Sequence, residues 1–263
     1  MFNIHNKTVM ITGAARGIGY KYAEILLRNG AKRIAIIDLP TSNGPTAAAT
    51  LEKEFGRGRA VFYACDVTKA EDLEKTFKEV VDAFEGLDIL INNAGVVDNN
   101  WERTIDVNIK ALIHSSFLAM DYMGKHKGGK GGVIVNVASQ LALHPCSFLP
   151  VYTATKHGVL GFSQALADLY DKTGVRVLIM CPGYTETELG KNISDRSCDL
   201  VRTVLGNVDD GFKDYPKQSV EHVALAMLDL IQKGKNGAAW VCEGGQPPYA
   251  VDFVHYSKRA LPV

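Results

Sequence analysis

The sequence predicts an α/β protein built on one doubly wound, mostly parallel β-sheet with helices on both faces. Two observations predict it. Short β-branched or apolar runs alternate with segments of helical periodicity along the 263 residues, which is typical of parallel strands joined by helical crossovers. The chemical motifs also lie at or just after predicted strand ends, where such sheets bind ligands. The length suits a single domain spanning residues 1–263.

The first half of the chain supplies four strands and three helices. The first strand is a short β-branched run, and the helix after it stops before Gly30, a residue typical of helix C-termini. The third helix is amphipathic, because Leu73, Phe77 and Phe84 recur at helical spacing. The predicted strands are 7–12, 33–38, 60–65 and 88–92, and the predicted helices are 16–29, 46–55 and 69–84.

The second half supplies three more strands and three more helices. A glycine-rich turn at 128–132 leads into the fifth strand. The two longest helices carry apolar residues on more than one face, so either they are doubly buried within one subunit or they pair across a two-fold axis. The predicted strands are 133–137, 175–181 and 238–241, and the predicted helices are 102–123, 152–171 and 219–232.

Composition argues against several classes of function. Lys+Arg and Asp+Glu are both 29, and a net charge of +0 leaves no basic excess for nucleic acid or anionic membrane surfaces. No apolar run approaches the roughly 20 residues of a membrane span, and the N-terminus lacks the pattern of a signal peptide. The five cysteines have no metal-ligand spacing, which predicts buried thiols, no metal site and a reducing, cytoplasmic location.

A glycine-rich segment follows the first strand and opens the first helix. Residues 12–19 read TGAARGIG. At this position Gly13 allows a tight turn, Gly17 lets the backbone approach a diphosphate, and Gly19 lets helix and strand pack closely. Free N–H groups at the helix N-terminus can then bind the diphosphate. We place Ile18, between the last two glycines, in the same dinucleotide site.

Asp38 indicates which dinucleotide is bound. It ends the second strand, where its carboxylate can accept hydrogen bonds from both hydroxyls of an adenosine ribose. A 2′-phosphate at ~4 Å would cost roughly 4 kcal/mol in repulsion at an effective dielectric near 20. Arg16 argues the other way, because a basic residue beside the phosphate loop can pair with a 2′-phosphate. We predict NAD, with Leu39 beside Asp38 in the same site.

The third and fourth strands end in residues of less specific meaning. Asp66 can accept from the adenine amino group, with Val67 lending backbone, or it can equally cap the next helix. Asn93 and Gly95 belong to an Asn-Ala-Gly turn, whose small residues let the backbone lie against a ribose. Such a turn also occurs where no ligand binds.

The clearest catalytic signal is a tyrosine followed four residues later by a lysine. Tyr152 and Lys156 share one helix face, so the ammonium can lie near the phenol. A free phenol has a pKa near 10, and a positive neighbour can lower that pKa towards the range useful for acid–base catalysis. Ser139 ends the fifth strand, where its hydroxyl either orients the substrate alcohol or caps a turn.

Together these motifs occur in the order seen in classical short-chain dehydrogenases/reductases, and residues 7–240 resemble that family. The resemblance implies a Rossmann-like fold. It implies that Tyr152 is the catalytic base, that Lys156 lowers its pKa and binds the nicotinamide ribose, and that Ser139 orients the substrate.

The same resemblance assigns roles to two further segments. It implies that Asn108 holds a water linking Lys156 to solvent. It also implies that the segment after the Pro-Gly turn grips the nicotinamide carboxamide and the diphosphate, through Thr185 and Thr187. The resemblance also favours a homodimer or homotetramer, and we expect one of these here.

Within the family, stretches such as 99–102 and 121–123 are similar to 15-hydroxyprostaglandin dehydrogenases. They are equally similar to insect-type alcohol dehydrogenases, which include enzymes that oxidise farnesol. Prostaglandin dehydrogenases carry a glutamine three residues before the catalytic tyrosine, where this chain has Leu149. The change removes a polar substrate contact and argues against a prostaglandin.

Residues 184–215 are expected to form a substrate lid. Gln140, Leu149 and Tyr184 are expected to contact the substrate, with Leu141 and Leu143 extending an apolar wall. This composition favours an apolar alcohol, although the same residues could merely pack the lid. The tail 244–263 could reach a partner subunit or cover the active site. The apolar lid residues are Leu189, Ile193, Leu200, Val204, Leu205 and Phe212.

The sequence therefore predicts NAD-dependent oxidation of an apolar, farnesol-type alcohol with Tyr152 as general base. A 15-hydroxyprostaglandin or short-chain alcohol dehydrogenase is the alternative within the same class. The scaffold could also serve an epimerase or dehydratase, since fold does not determine the reaction. A non-catalytic dinucleotide-binding protein is the alternative of another class, and the Ser-Tyr-Lys-Asn set argues against it.

Overall fold

The computed structural model describes residues 1–259 and contains an eight-stranded sheet. The strand order is β3-β2-β1-β4-β5-β6-β7-β8, in which the first seven strands are parallel and β8 runs antiparallel to β7. This is the predicted doubly wound, Rossmann-like architecture. The strands are β1 Thr8–Thr12, β2 Arg33–Asp38, β3 Ala60–Ala64, β4 Ile89–Asn92, β5 Gly132–Val137, β6 Val175–Pro182, β7 Ala239–Cys242 and β8 Tyr249–Ala250.

Helices cover both faces of the sheet. Helices α1, α2 and α10 pack on one face, and α3, α5 and α6 pack on the other. The helices are α1 Gly17–Arg28, α2 Gly44–Phe55, α3 Ala70–Phe84, α4 Trp101–Ile105, α5 Ala111–Met123, α6 Pro150–Ala167, α7 Tyr170–Thr173, α8 Ile193–Arg196, α9 Asp199–Leu205 and α10 Val220–Lys233.

The central strand shows how the sequence pattern produces the two layers. All five residues of β1 are buried, as expected for a strand covered on both sides. Because successive side chains point to opposite faces, Val9 and Ile11 join the apolar cluster under α1 and α10. Met10, between them, joins the cluster under α3 and α5. A continuous apolar run is therefore required here.

The two long helices differ from the sequence prediction. A π-helical turn, Asp106–Lys110, separates α4 from α5 within the predicted helix 102–123. The predicted helix 152–171 begins earlier, because Pro150 suits the first turn of a helix. It also ends earlier, at Ala167, whose carbonyl accepts a hydrogen bond from the Asn236 side chain over 2.8 Å.

The C-terminal segment forms an edge strand that the sequence analysis missed. The Tyr249 hydroxyl donates to Glu243 Oε1 over 2.7 Å, and β8 pairs with β7. Val251 and Phe253 then pack beside Leu143, against the cluster between α6 and β7. Through residue 259 the tail does not line the cleft, and its role as a cover or a partner contact stays a prediction. Residues 260–263 of the predicted tail lie outside the described residues.

The strand order determines where a ligand can bind. From β1 the chain builds outward to β2 and β3 on one side and to β4, β5 and β6 on the other. This reversal opens a crevice at the carboxyl ends of β1 and β4. Within residues 1–259, no helix has the length and apolar character needed to cross a bilayer.

Candidate active site

A cleft that is open to solvent lies at the carboxyl ends of the strands, beneath residues 184–215. It brings together the motifs that follow β4, β5 and β6 with the first turn of α6. The predicted site residues that line it are Ile18, Asn93, Gly95, Ser139, Gln140, Leu149, Tyr152, Lys156, Tyr184, Thr185 and Thr187.

Each glycine of the segment 12–19 has a distinct steric reason. Gly13 has φ +66°, and a Cβ there would lie 2.8 Å from Ala94 Cα. A Cβ at Gly19 would lie 2.4 Å from the carbonyl oxygen of Gly13, so only glycine permits this helix–strand approach. Gly17 has φ +60°, and its Cβ position meets only the Thr187 methyl group, at 3.7 Å. The space beside Gly17 is therefore open to a ligand.

The N-terminus of α1 fits an anionic group. Its N-cap residue, Arg16, makes no side-chain capping hydrogen bond, and the first turn holds no acidic residue. The first backbone N–H groups of the helix thus lack side-chain acceptors and carry the positive end of the helix dipole. This arrangement suits a dinucleotide diphosphate.

Asp38 is held firmly at the end of β2. Its Oδ2 accepts from the Ala15 N–H over 2.9 Å, and its Oδ1 accepts from the Leu39 N–H over 2.8 Å. Each carboxylate oxygen retains a further lone pair, so two ribose hydroxyls can still be bound. Arg16 is exposed, and together with the stronger influence of Lys191 it lowers the pKa of Glu188 on the lid. The charge of Arg16 therefore interacts with Glu188 of the lid.

Asp66 does not cap the next helix. Its Oδ1 accepts from the Thr68 N–H over 3.1 Å and from the Thr68 hydroxyl over 2.7 Å. Helix α3 begins later, at Ala70, with Lys69 as its N-cap. The capping interpretation is wrong, because Asp66 lies three residues before the N-cap of α3 and its carboxylate bonds to Thr68 within the preceding turn. Val67 is half-buried against the cluster under α3, and the adenine contact stays a prediction.

A hydrogen-bonded clasp joins the glycine segment to the turn after β4. The Thr12 hydroxyl accepts from the backbone N–H groups of Asn93 and Ala94, each over 3.1 Å. In return, Asn93 Nδ2 donates to the carbonyl oxygens of Thr12 and Gly13, each over 3.0 Å. The Asn93 side chain is thus committed to the protein. Sequence reasoning missed Thr12, although it opens the glycine segment.

Tyr152 and Lys156 meet as predicted, on one face of α6. Lys156 Nζ lies 5.4 Å from the Tyr152 ring centroid and donates to the Val137 carbonyl over 2.9 Å. Ser139 hydrogen-bonds to the Tyr152 phenol, and its Oγ also accepts from the Leu141 N–H over 3.1 Å. The turn-capping and substrate-orienting interpretations of Ser139 are therefore compatible.

Burial dominates the electrostatics of this pair. It raises the pKa of the Tyr152 phenol to about 12, and it lowers the pKa of the Lys156 ammonium to about 8. Ser139 is the neighbour that lowers the Tyr152 pKa, through its hydrogen bond. This differs from the expected pKa lowering by Lys156. The lysine ammonium is instead hydrogen-bonded to the carbonyl of Val137.

Asn108 lies in the π-helical turn, fully buried. Its Oδ1 accepts from the Val96 N–H, and its Nδ2 donates to the carbonyl of Val96 and, over 3.3 Å, to the Thr155 hydroxyl. The amide therefore holds the segment that carries Gly95 and Val97 into the cleft. Such turns often occur at functional sites. The water-holding role of Asn108 stays a prediction.

The lid places an apolar and aromatic cluster against Tyr152. The Phe212 ring packs against Tyr184, with centroids 6.0 Å apart, and against Phe148, at 5.6 Å. Leu189 and Ile193 line the cleft as expected. This is the apolar wall that the sequence predicts, and it also packs the lid.

Four residues of the predicted apolar wall lie elsewhere. Leu200 and Val204 are 70% and 68% exposed, because they lie on the outer side of α9 while Val201 faces inward. Leu205, at the end of that helix, is also exposed. Leu143 packs in the cluster between α6 and β7. A seven-residue helix has one buried face, and the sequence alone did not say which.

Side-chain hydrogen bonds of Thr185, Thr187 and Gln218 hold the segment after β6 in place. The Thr185 hydroxyl donates to the Gly183 carbonyl over 3.0 Å and accepts from Gln218 Nε2 over 3.3 Å. Thr187 Oγ1 donates to the Thr185 carbonyl over 3.4 Å. Gln140 Oε1 lies 2.9 Å from where a Cβ of Gly183 would be, so glycine makes room for it. Gln218 was missed, because no motif surrounds it.

Comparison with known proteins decides the family. A family model described as short chain dehydrogenase matches residues 7–197. The chain belongs to the short-chain dehydrogenase family. This short-chain dehydrogenase is 38% identical over 241 residues to 15-hydroxyprostaglandin dehydrogenase (NAD⁺) of Bos taurus, covering 90% of each chain. It is 32% identical over 247 residues to alcohol dehydrogenase 1 of Ceratitis capitata, covering 92% of this chain and 94% of that relative.

Solved structures agree with the family assignment. A short chain dehydrogenase from Burkholderia cenocepacia in complex with NADP superposes with a TM-score of 0.76 at 27% identity, covering 93% of this chain and 99% of that one. A short-chain dehydrogenase/reductase mutant from Serratia marcescens has the same TM-score and coverage at 23% identity, which shows the shared fold. The protein is thus an oxidoreductase of the dehydrogenase type, acting on CH–OH groups.

Proposed function

We propose that this short-chain dehydrogenase oxidises apolar, lipid-like alcohols of the farnesol type, with NAD as the acceptor. The observation that carries the proposal is the position of Ser139 and Tyr152 in one cleft whose outer wall is the apolar cluster of the lid. An apolar chain gains by leaving water for such a wall, whereas a sugar would leave its hydroxyls unpaired there.

Ser139, Tyr152 and Lys156 have different roles at the CH–OH group of the substrate. Ser139 orients the substrate hydroxyl, and the Tyr152 oxygen accepts its proton. Burial holds the pKa of the phenol at about 12, and the positive charge of a bound oxidised nicotinamide, added to that of Lys156, would lower this pKa towards neutrality. The dinucleotide, when bound, supplies the hydride acceptor. Lys156 contributes a buried positive charge on the Tyr152 helix face and binds the nicotinamide ribose. Its pKa of about 8 keeps it charged at neutral pH. The reverse reduction of a carbonyl uses the same groups.

The preference for NAD rests on Asp38. The two backbone donors that hold its carboxylate prevent it from turning away from a 2′-phosphate, so the repulsion persists. Arg16 extends from the loop as an exposed side chain and can move, so it would bind a 2′-phosphate only weakly. The relatives named 15-hydroxyprostaglandin dehydrogenase carry NAD⁺ in their names, which supports the same choice.

A 15-hydroxyprostaglandin is the second candidate substrate, favoured by the identity to those relatives. Leu149 argues against it, because this buried leucine offers the cleft no hydrogen bond. Gln140 and Asn93 are amides that line the cleft, and the Asn93 amide already donates to Thr12 and Gly13. A prostaglandin would have to use Gln140 in place of the glutamine found in prostaglandin dehydrogenases.

Turnover of a substrate panel tests the proposal. Farnesol, 15-hydroxyprostaglandin and a short polar alcohol are compared with NAD and NADP by the absorbance of the reduced nicotinamide. We expect the highest kcat/KM for farnesol with NAD. A preference for the polar alcohol would contradict the apolar assignment. Binding of NADH without turnover of any alcohol would favour the non-catalytic alternative.

A Tyr152→Phe variant tests the general base. It should bind NADH like the wild type and lose turnover by a factor of about 1,000, as expected for loss of acid–base catalysis. Tyr215→Phe is the matched control, because Tyr215 contacts Phe212 in the lid but does not line the cleft. It should retain turnover.

We also infer a homodimer or homotetramer in a reducing, cytoplasmic compartment. Exposed aromatic residues on the outer face of α4 and α5, Trp101 and Phe117, support a contact between copies of the chain. The five free cysteines, four of them buried, support the reducing compartment. Sedimentation of the wild type and of Phe117→Asp should give an oligomer and a smaller species, respectively.

A further inference from the structure

Gln218 is a buried amide outside the catalytic set and outside residues 7–197. It is 4% exposed, and its side chain bonds to two other segments of the chain. Nε2 donates to the Cys242 carbonyl over 2.6 Å and to the Thr185 hydroxyl over 3.3 Å. Oε1 accepts from the Cys242 thiol over 3.3 Å. The amide therefore ties the segment after β6 to the end of β7.

The backbone of Gln218 closes the base of the lid. Its N–H donates to the Tyr184 carbonyl over 3.1 Å, and its carbonyl accepts from the Glu186 N–H over 3.0 Å. These bonds form a parallel bridge between Thr185 and Gln218. The two ends of the lid are thus bonded to each other, and Gln218 supplies both the side-chain and the backbone bonds.

The geometry of the bridge determines which way Thr185 presents its backbone. In a parallel bridge, one residue bonds to the two neighbours of its partner. Here Gln218 bonds to the neighbours of Thr185, so the N–H and carbonyl of Thr185 itself point away from Gln218. Thr185 lines the cleft. Behind it, the threonine hydroxyl is held by Gln218 and Gly183.

Thr187 is held by the same arrangement. Its hydroxyl donates to the Thr185 carbonyl, and its methyl group lies 3.7 Å from the Cβ position of Gly17. The segment that Gln218 holds therefore meets the glycine segment 12–19 at Gly17 and lines the same cleft as Tyr152. Displacement of Thr185 would move Thr187 with it.

We propose that Gln218 is a positioning residue for the nicotinamide half of the dinucleotide. It acts through Thr185, and it fixes where that half lies against Tyr152. The inference rests on the proposed NAD-dependent function. The adenosine half is held at the other end of the crevice, by Asp38 and the glycine segment, so it should not depend on Gln218.

The test compares two ligands that share the adenosine half. Gln218→Met retains the length of the side chain and removes its hydrogen bonds. Titration calorimetry of this variant should show binding of NADH weakened about tenfold, the loss expected for one or two hydrogen bonds. Binding of ADP-ribose, which lacks nicotinamide, should change by less than about twofold.

Asn236→Leu is the matched control. The Asn236 amide also ties two backbone groups, accepting from the Val177 N–H over 2.9 Å and donating to the Ala167 carbonyl, and it does not line the cleft. This variant should lower the melting temperature while both dissociation constants stay within about twofold of the wild type. A general loss of stability would therefore not imitate the expected result.

Equal weakening of NADH and ADP-ribose in Gln218→Met, or no weakening of either, would overturn the inference. Should that variant fail to fold, Thr185→Val removes the acceptor of Gln218 Nε2 with little change of shape. It should weaken NADH selectively by about threefold, and unchanged NADH binding there would equally overturn the inference. Failure of the wild type to bind NADH would instead contradict the proposed function.

Discussion

The Asn108 side-chain amide hydrogen-bonds to both the backbone N–H and the backbone carbonyl of Val96, as a neighbouring β-strand would. Oδ1 accepts from the Val96 N–H over 2.8 Å, and Nδ2 donates to the Val96 carbonyl over 2.9 Å. The two bonds attach the turn after β4 to the π-helical turn before α5. They hold Gly95 and Val97 at the cleft.

An Asn108→Leu variant should lose about 3 kcal/mol of unfolding free energy, because both partly buried Val96 groups are left unpaired and the fully buried amide is removed. Urea denaturation measures this loss. Asn100→Ala, which removes the N-cap bond of α4 to the Arg103 N–H, should cost only about 1 kcal/mol. Equal losses in the two variants would show that the Val96 pairing has no special weight.

An Asp38→Asn variant should move the coenzyme preference towards NADP. Removing the charge removes the repulsion of a 2′-phosphate, so the ratio of NADP to NAD in kcat/KM should rise by about 10 to 100-fold. Steady-state kinetics with both coenzymes measure it. Asp66→Asn, at the next strand end, should leave the ratio unchanged, and an equal effect there would remove the special role of Asp38.

A Gly19→Ala variant should be strongly destabilised. Its Cβ would meet the Gly13 carbonyl at 2.4 Å and Asn93 Nδ2 at 2.6 Å, which forces the glycine segment apart. We expect a loss of about 2 kcal/mol or more in thermal unfolding, with weaker NADH binding.

Gly161→Ala is the matched comparison for that substitution. Gly161 lies within α6, and nothing stands within 4 Å of its Cβ position. Alanine should therefore stabilise the protein by about 1 kcal/mol. Similar melting temperatures for the two variants would contradict both steric arguments.

Lys156 should make stability depend on pH above neutrality. Burial lowers its pKa from 10.5 to about 8 in the folded protein. Between these values the unfolded chain binds more protons than the folded one, so the stability contribution of Lys156 rises as pH increases. The full gain is about 3 kcal/mol.

Unfolding of the wild type and of Lys156→Met, measured from pH 7.5 to 10, isolates that contribution. The difference in unfolding free energy should move in favour of the wild type as pH rises. Tyr152 acts in the opposite sense only above pH 10, since burial raises its pKa to about 12. Lys75→Met, at an exposed lysine, should reproduce the wild-type profile. A flat difference for Lys156→Met would contradict the buried charge.

Much of the site could be predicted because the residues of its motifs are close together in the sequence. The glycine segment at 12–19 and the spacing of Tyr152 and Lys156 each involve residues within eight positions of one another. Asp38 and Ser139 were found because they end strands whose apolar runs are easily recognised. Local backbone requirements act on neighbouring residues, so a single sequence displays them.

The sequence by itself determined the doubly wound sheet, the family and most of the residues that line the cleft. Only the tertiary structure decided which side of α9 is buried in the apolar cluster of the lid, and that Asn93 and Thr12 form a clasp. It also showed that Gln218 closes the base of the lid. These relationships join residues 81 and 33 positions apart, and no local periodicity relates them. Burial likewise sets the pKa of Tyr152 and Lys156, and burial depends on how the whole chain packs.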